Sequence, residues 1–80
     1  MGKIEKQLRK IPKKYQERVF EVMGQITARQ FAGLDRKQLK GFDHLFRVRV
    51  GNYRIIYFDD GECIAFEAVR KRDEATYSDF

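Results

Sequence analysis

Eighty residues allow a single domain, spanning positions 1–80, with a modest core in which each long apolar side chain matters. One cysteine, Cys63, excludes an internal disulfide framework. No metal-ligand spacing accompanies it, and no apolar stretch is long enough for a leader or a membrane span, so the expected setting is cytoplasmic and no cofactor or metal is expected. A net charge of +5 and a sequence pI of about 9.6 favour a polyanionic partner, either nucleic acid or an acidic protein.

The chain has no repeats, low-complexity runs or Gly/Ser linkers, but its halves differ in texture. Residues 3–26 are charge-rich with helical spacing. Ile4, Leu8 and Ile11 fall on one helical stripe, and Pro12, which suits the first turn of a helix better than its interior, predicts that a second helix begins there. The apolar stripe of that second helix is Tyr15, Val19, Val22, Met23 and Ile26. A helical hairpin results, its outward surface covered by Lys3, Lys6, Arg9, Lys10, Lys13 and Lys14. A solvated face is the simplest role for these cations. Residues 27–44 read as a connection with at most one helical turn, in which Gly33 and Gly41 flank Leu34 and Leu39.

Leu45–Val50 alternates in the manner of a half-buried strand, Gly51-Asn52 offers a two-residue turn that tolerates positive φ, and Tyr53–Phe58 is the second strand. After the turn at Asp59-Asp60-Gly61, Glu62–Val69 is the third strand of an antiparallel meander. The Gly51-Asn52 loop fixes a register in which Val50 faces Tyr53, Val48 faces Ile55 and Phe46 faces Tyr57, all on the core side. In the second hairpin a two-residue loop buries Ile64 and Phe66, whereas a three-residue loop buries Cys63 and Ala65. The first buries more apolar area.

That register sets Arg49 against Arg54, and Arg47 against Ile56, on the far face. Like charges directly opposite destabilise a sheet by up to about 1 kcal/mol. They are either screened, or paired with Glu62 or Glu67, or they serve a ligand. Guanidinium groups are planar paired donors for phosphate oxygens and stay charged at any working pH. Arg70-Lys71-Arg72 leaves the third strand, and a tail that folds back would bring Arg72 and Tyr77 towards the patch. The lone His44 supplies no imidazole pair. Asp59-Asp60-Gly61 is explained by turn chemistry, and Cys63 by a small apolar strand position.

The order of elements, with Gln38-Leu39-Lys40-Gly41 leading into Phe46–Tyr57, resembles RelE-type toxins of the RelE/ParE superfamily. Gly51-Asn52-Tyr53-Arg54-Ile55-Ile56-Tyr57 is the most specific stretch, and Ile4–Pro12 and Arg70-Lys71-Arg72-Asp73 with Tyr77 add to it. The resemblance implies an α+β fold, a helical hairpin packed on a small antiparallel sheet, and a toxin neutralised by a cognate antitoxin. RelE-like members enter the ribosomal A site and cut messenger RNA without metal, by attack of the ribose 2′-hydroxyl on the neighbouring phosphate. On matching positions, Arg49, Arg54 and Arg72 would stabilise phosphate charge and Tyr77 would orient or stack on the substrate. Arg47, Lys40, Arg70 and Lys71 would bind RNA.

Two departures stand out. The family's proton-abstracting lysine is replaced by arginine on the Arg47–Arg49 strand, and Met1-Gly2-Lys3 leaves no room for the strand that usually precedes the first helix. The sheet is then expected to be one strand short or to borrow one from a partner. The same resemblance admits a ParE-like inhibitor of DNA gyrase that acts by binding, or an inactive binding relic.

Overall fold

The computed structural model describes residues 3–71, so Arg72 and Tyr77 lie outside the described residues. Two helices, α1 (Lys3–Arg9) and α2 (Lys13–Thr27), precede four strands: β1 (Asp35–Gln38), β2 (Leu45–Val50), β3 (Tyr53–Asp59) and β4 (Ile64–Lys71). The strands form one antiparallel sheet in the order β1-β2-β3-β4. The class is α+β, as the sequence implied.

Pro12 sits immediately before α2 in extended conformation and carries no side-chain cap. The joint between the helices is closed instead by Gln16, whose Nε2 donates to the carbonyls of Leu8 (3.1 Å) and Ile11 (2.9 Å). Helix ends leave such carbonyls without partners, so this one amide satisfies what α1 cannot. At the far end of α2 the N–H groups of Arg29 and Gln30 donate to the carbonyls of Ile26 and Gln25. This is a Schellman closure, and its left-handed position is normally glycine. Here Arg29 occupies it, at φ 58°.

The helices lay Ile11, Val19, Val22 and Ile26 on one face of the sheet, against Val48, Val50, Tyr53, Ile55, Tyr57 and Val69. Tyr57 is fully buried at the centre, ringed by Phe31, Phe46 and Phe66. The predicted β2–β3 register and its core face are those observed. Ile64 and Phe66 also pack on the core, but through a longer loop: Asp59 pairs with Ile64, leaving residues 60–63 as the turn. Asp60 holds that turn by accepting from the N–H groups of Glu62 and Cys63. Those two bonds stabilise its carboxylate and lower its pKa.

Three expectations need correction. The segment 27–44 is not merely a connection, because Asp35–Gln38 forms a fourth strand on β2. All four of its residues are exposed, so it shows none of the apolar alternation that marks a half-buried strand. The last strand runs from Ile64 to Lys71 rather than from Glu62 to Val69, so Cys63 lies exposed in the loop and Arg70 and Lys71 lie within the strand. A bulge opposite Ile56/Tyr57 skips Glu67, which returns Val69 to the core face and Ala68 to the other. No strand precedes α1 among the described residues; the fourth strand of the sheet comes from within the chain. No helix among them is long and apolar enough to cross a membrane.

Candidate nucleic-acid interface

The face of the sheet away from the helices carries the predicted arginines. Asp35, Arg49, Arg54 and Arg70 stand in direct register across all four strands, and Lys37, Arg47, Ile56 and Ala68 form the adjacent row. With strands about 4.8 Å apart, the three arginines of the first row span about 10 Å. Arg70 enters this row because β4 continues through it. Lys37, which the sequence left in a connection, brings an ammonium group opposite Arg47.

This face is not the open polar surface that alternation implied. Leu39, Ile56 and Ala68 make a second small core there, with Leu45 packed against it. Arg47 and Arg54 are only 7% and 8% exposed, whereas Arg49 is exposed. Arginine covers apolar surface with its stem while its head stays polar, which is how cations come to lie in such a layer. Arg47 is held by Asp35, with Nη1 3.3 Å from the backbone carbonyl and 3.5 Å from Oδ1. Arg49 lies 4.0 Å from the same carboxylate. Thus for Arg47 and Arg49 the counter-charge is Asp35, on the strand the sequence did not reveal, rather than Glu62 or Glu67. Within the two rows, among the described residues, the one carboxylate, Asp35, stands with Lys37, Arg47, Arg49, Arg54 and Arg70.

Other predicted site residues are dispersed. Lys40 is exposed in the turn after β1, at the opposite end of the strands from the arginine row. Lys71 pairs with Tyr53 on the core side of the sheet, at the rim of a cleft with Lys10. His44 is exposed, with its ring edge-on to Phe58 at 5.6 Å. No group of His, Cys, Asp or Glu side chains that could hold a metal ion occurs among the described residues.

A second charged cluster, not foreseen, sits on the helix side. Asp59 is buried and accepts two hydrogen bonds from Arg29 Nη1, at 3.0 and 3.1 Å, with Arg36 Nη2 at 3.8 Å. Burial alone would raise its pKa. The Gly61 N–H together with Arg29 and Arg36 outweighs that and holds the carboxyl below the usual carboxylate range. Arg36 also donates from Nε to the Tyr57 hydroxyl at 2.6 Å, and its guanidinium lies between the rings of Phe31 (4.3 Å) and Phe46 (4.0 Å). Burial pushes the Tyr57 phenol up, against the opposing pull of Arg36. Asp59 does stabilise its turn, by accepting from Gly61 N–H, so the sequence reading was correct but incomplete. Nothing in the spacing of Arg29, Arg36 and Asp59 signals that they meet.

Fold and face together define a small α+β protein that gathers arginines in register on one side of a sheet. The comparisons with known proteins agree on what kind this is. The family model for the ParE toxin of type II toxin–antitoxin systems matches residues 2–76. A segment of 39 residues is 46% identical to Toxin RelE3 of Methanocaldococcus jannaschii, covering 49% of this chain and 44% of that protein. A chain of the crystal structure of the RelB–RelE antitoxin–toxin complex from Methanococcus jannaschii is similar throughout, with a TM-score of 0.82, 28% identity, and coverage of 100% of this chain and 95% of that one. The chain belongs to the ParE toxin family, within the RelE/ParE superfamily.

Proposed function

We propose that this chain is the toxin of a type II toxin–antitoxin pair and that it cuts messenger RNA on the ribosome. The observation that carries the reading is the Arg49–Arg54–Arg70 row, in which like charges face one another in successive pairs. Selection for stability alone disfavours such pairs. A bound phosphate, or the extra negative charge of a phosphorane, reverses the sign of their interaction and accepts hydrogen bonds from several guanidinium groups together. In this reading Arg49, Arg54 and Arg72 stabilise charge at the reacting phosphate, Tyr77 orients the substrate, and Arg47, Arg70, Lys71 and Lys40 hold the RNA. Among the described residues no imidazole stands in either row, so ribosomal positioning of the messenger supplies much of the rate enhancement.

A cognate antitoxin is the second partner. Support comes from the similarity to a chain of an antitoxin–toxin complex and from the net charge of +5, which suits an acidic segment. Part of that attraction is Coulombic and weakens with salt, since screening acts over about 8–10 Å.

The burial of Arg47 and Arg54, and the match to the ParE model, favour a second reading: inhibition of DNA gyrase by binding, without nuclease chemistry. Induction in growing cells with mapping of messenger 5′ ends separates them. Cuts phased with the reading frame are the expected result. Intact messengers with arrested replication would establish the binding-only toxin instead.

A further inference from the structure

The end of the arginine row opens onto a cleft of about 360 Å³ between α1 and β4. Among the described residues its wall includes Lys10, Arg70 and Lys71, together with Gln7 and Tyr53, and contains no carboxylate. The Oε1 of Gln7 accepts a hydrogen bond of 2.7 Å from the N–H of Val69. This bond assigns the amide's orientation, since only its oxygen can accept. It fixes Nε2 as the donor end of a side chain already held in place. Tyr53 is buried and forms an apolar wall, its ring 5.9 Å from that of Tyr15. Three cationic side chains, an oriented amide and an aromatic wall are the elements of an anion site with room for a ring. The volume falls in the range of small-ligand pockets.

We infer that this cleft is a second RNA subsite, which takes the phosphate and base of a nucleotide flanking the one held on the arginine row. The inference rests on the functional reading above and extends it. Continuity decides between RNA and an acidic peptide as occupant. Arg70 belongs both to the row and to the cleft wall, so one strand of closely spaced phosphates passes from Arg49 and Arg54 over the β4 edge to Lys10 and Lys71. Lys10 and Lys71 are exposed at the cleft's rim and reach such a strand without rearrangement of the core.

The test is binding of a short single-stranded RNA to the purified full chain across a salt series. Each phosphate neutralised contributes about 0.7 to the slope of log affinity against log salt for a single strand. Lys10→Ala combined with Lys71→Ala is expected to lower that slope by about 1.4. Lys6→Ala combined with Lys13→Ala removes the same charge from exposed positions outside the cleft and is expected to leave the slope unchanged. Thermal melts of both double variants check that they fold. If wild type binds RNA, and Arg49→Ala weakens it, but both double variants have the wild-type slope, the cleft inference fails while the functional reading stands. The same holds if the cleft pair weakens binding of poly-glutamate and not of RNA, which assigns the cleft to an acidic protein. Equal loss of slope in both double variants reduces the effect to net charge and overturns the cleft. A wild-type chain that binds no RNA overturns the cleft, while the nuclease reading, in which the ribosome positions the messenger, is decided by the mapping of messenger 5′ ends.

Discussion

The two faces of the sheet both carry arginines, and they use them in opposite ways. On the helix side Arg29 and Arg36 converge on one buried carboxylate, Asp59, and Arg36 is further bound to the Tyr57 hydroxyl and enclosed by Phe31 and Phe46. Two cations share one carboxylate there, and the cluster joins the end of α2, strand β1 and the β3–β4 turn. On the other side Arg47, Arg49, Arg54 and Arg70 share their two rows with Asp35 as the counter-charge. The first arrangement groups its cations around a buried carboxylate; in the second, arginines of successive strands stand opposite one another in register. Arginine content alone therefore says little about function, whereas the ratio of cations to carboxylates on each face says a good deal.

The sharpest break in this contrast is Asp59→Ala. It leaves two partly exposed guanidinium groups without the carboxylate they share. Losing hydrogen bonds to a charged group costs about 1.5–3 kcal/mol. Urea unfolding of the variant should show a loss of that size. A loss below about 0.5 kcal/mol, the scale of an ordinary surface substitution, would mean the cluster is not structural.

On the other face, Arg49→Ala should lower messenger cleavage about 10²-fold, the scale for losing one preorganised charge stabiliser. Stability should stay constant or rise by a few tenths of a kcal/mol, because a like-charge cross-strand pair is removed. Cleavage at the wild-type rate by a folded variant would remove Arg49 from the reaction.

Tyr57→Phe separates hydrogen bonding from packing in the helix-side cluster. The ring stays and only the bond to Arg36 is lost, for an expected cost of about 1 kcal/mol in the unfolding free energy. Acid titration gives the charge component. The Gly61 N–H and the Arg29 and Arg36 guanidinium groups hold the folded carboxyl of Asp59 below the usual carboxylate range, so its contribution to stability is fully present above the unfolded pKa. It is lost as pH falls through the folded pKa. Stability should therefore decline below about pH 4, and Asp59→Asn should flatten that decline. Equal acid dependence in the two proteins would locate the sensitive group elsewhere.

Arg29→Gly should have the smallest net effect. A left-handed non-glycine residue costs about 1 kcal/mol, which glycine recovers, while the lost bonds to Asp59 act in the other direction. Arg29→Ala loses the bonds without that recovery. Of the two variants the glycine should melt higher, and the reverse order would show that the backbone at Arg29 is unstrained.

The sequence by itself determined the helical hairpin and the central β2–β3 ladder. A stripe of apolar residues at helical spacing, a proline at the joint, and strict alternation around a two-residue turn leave few other arrangements, since a one-residue slip would turn Val48, Val50 and Ile55 towards the solvent. It also placed Arg49 against Arg54. Only the tertiary structure decided the rest. Asp35–Gln38 is a strand because β2 offers it an edge to pair with, and four exposed polar residues carry no periodic sign of that. The loop at residues 60–63 and the bulge opposite Ile56/Tyr57 together moved Arg70 into the arginine row, an offset that alternation cannot specify once a ladder is interrupted. Asp59, 30 residues from Arg29, met its partners through packing. Local rules act over a few residues, and the charges that define this protein's two faces are brought together over much longer stretches of chain.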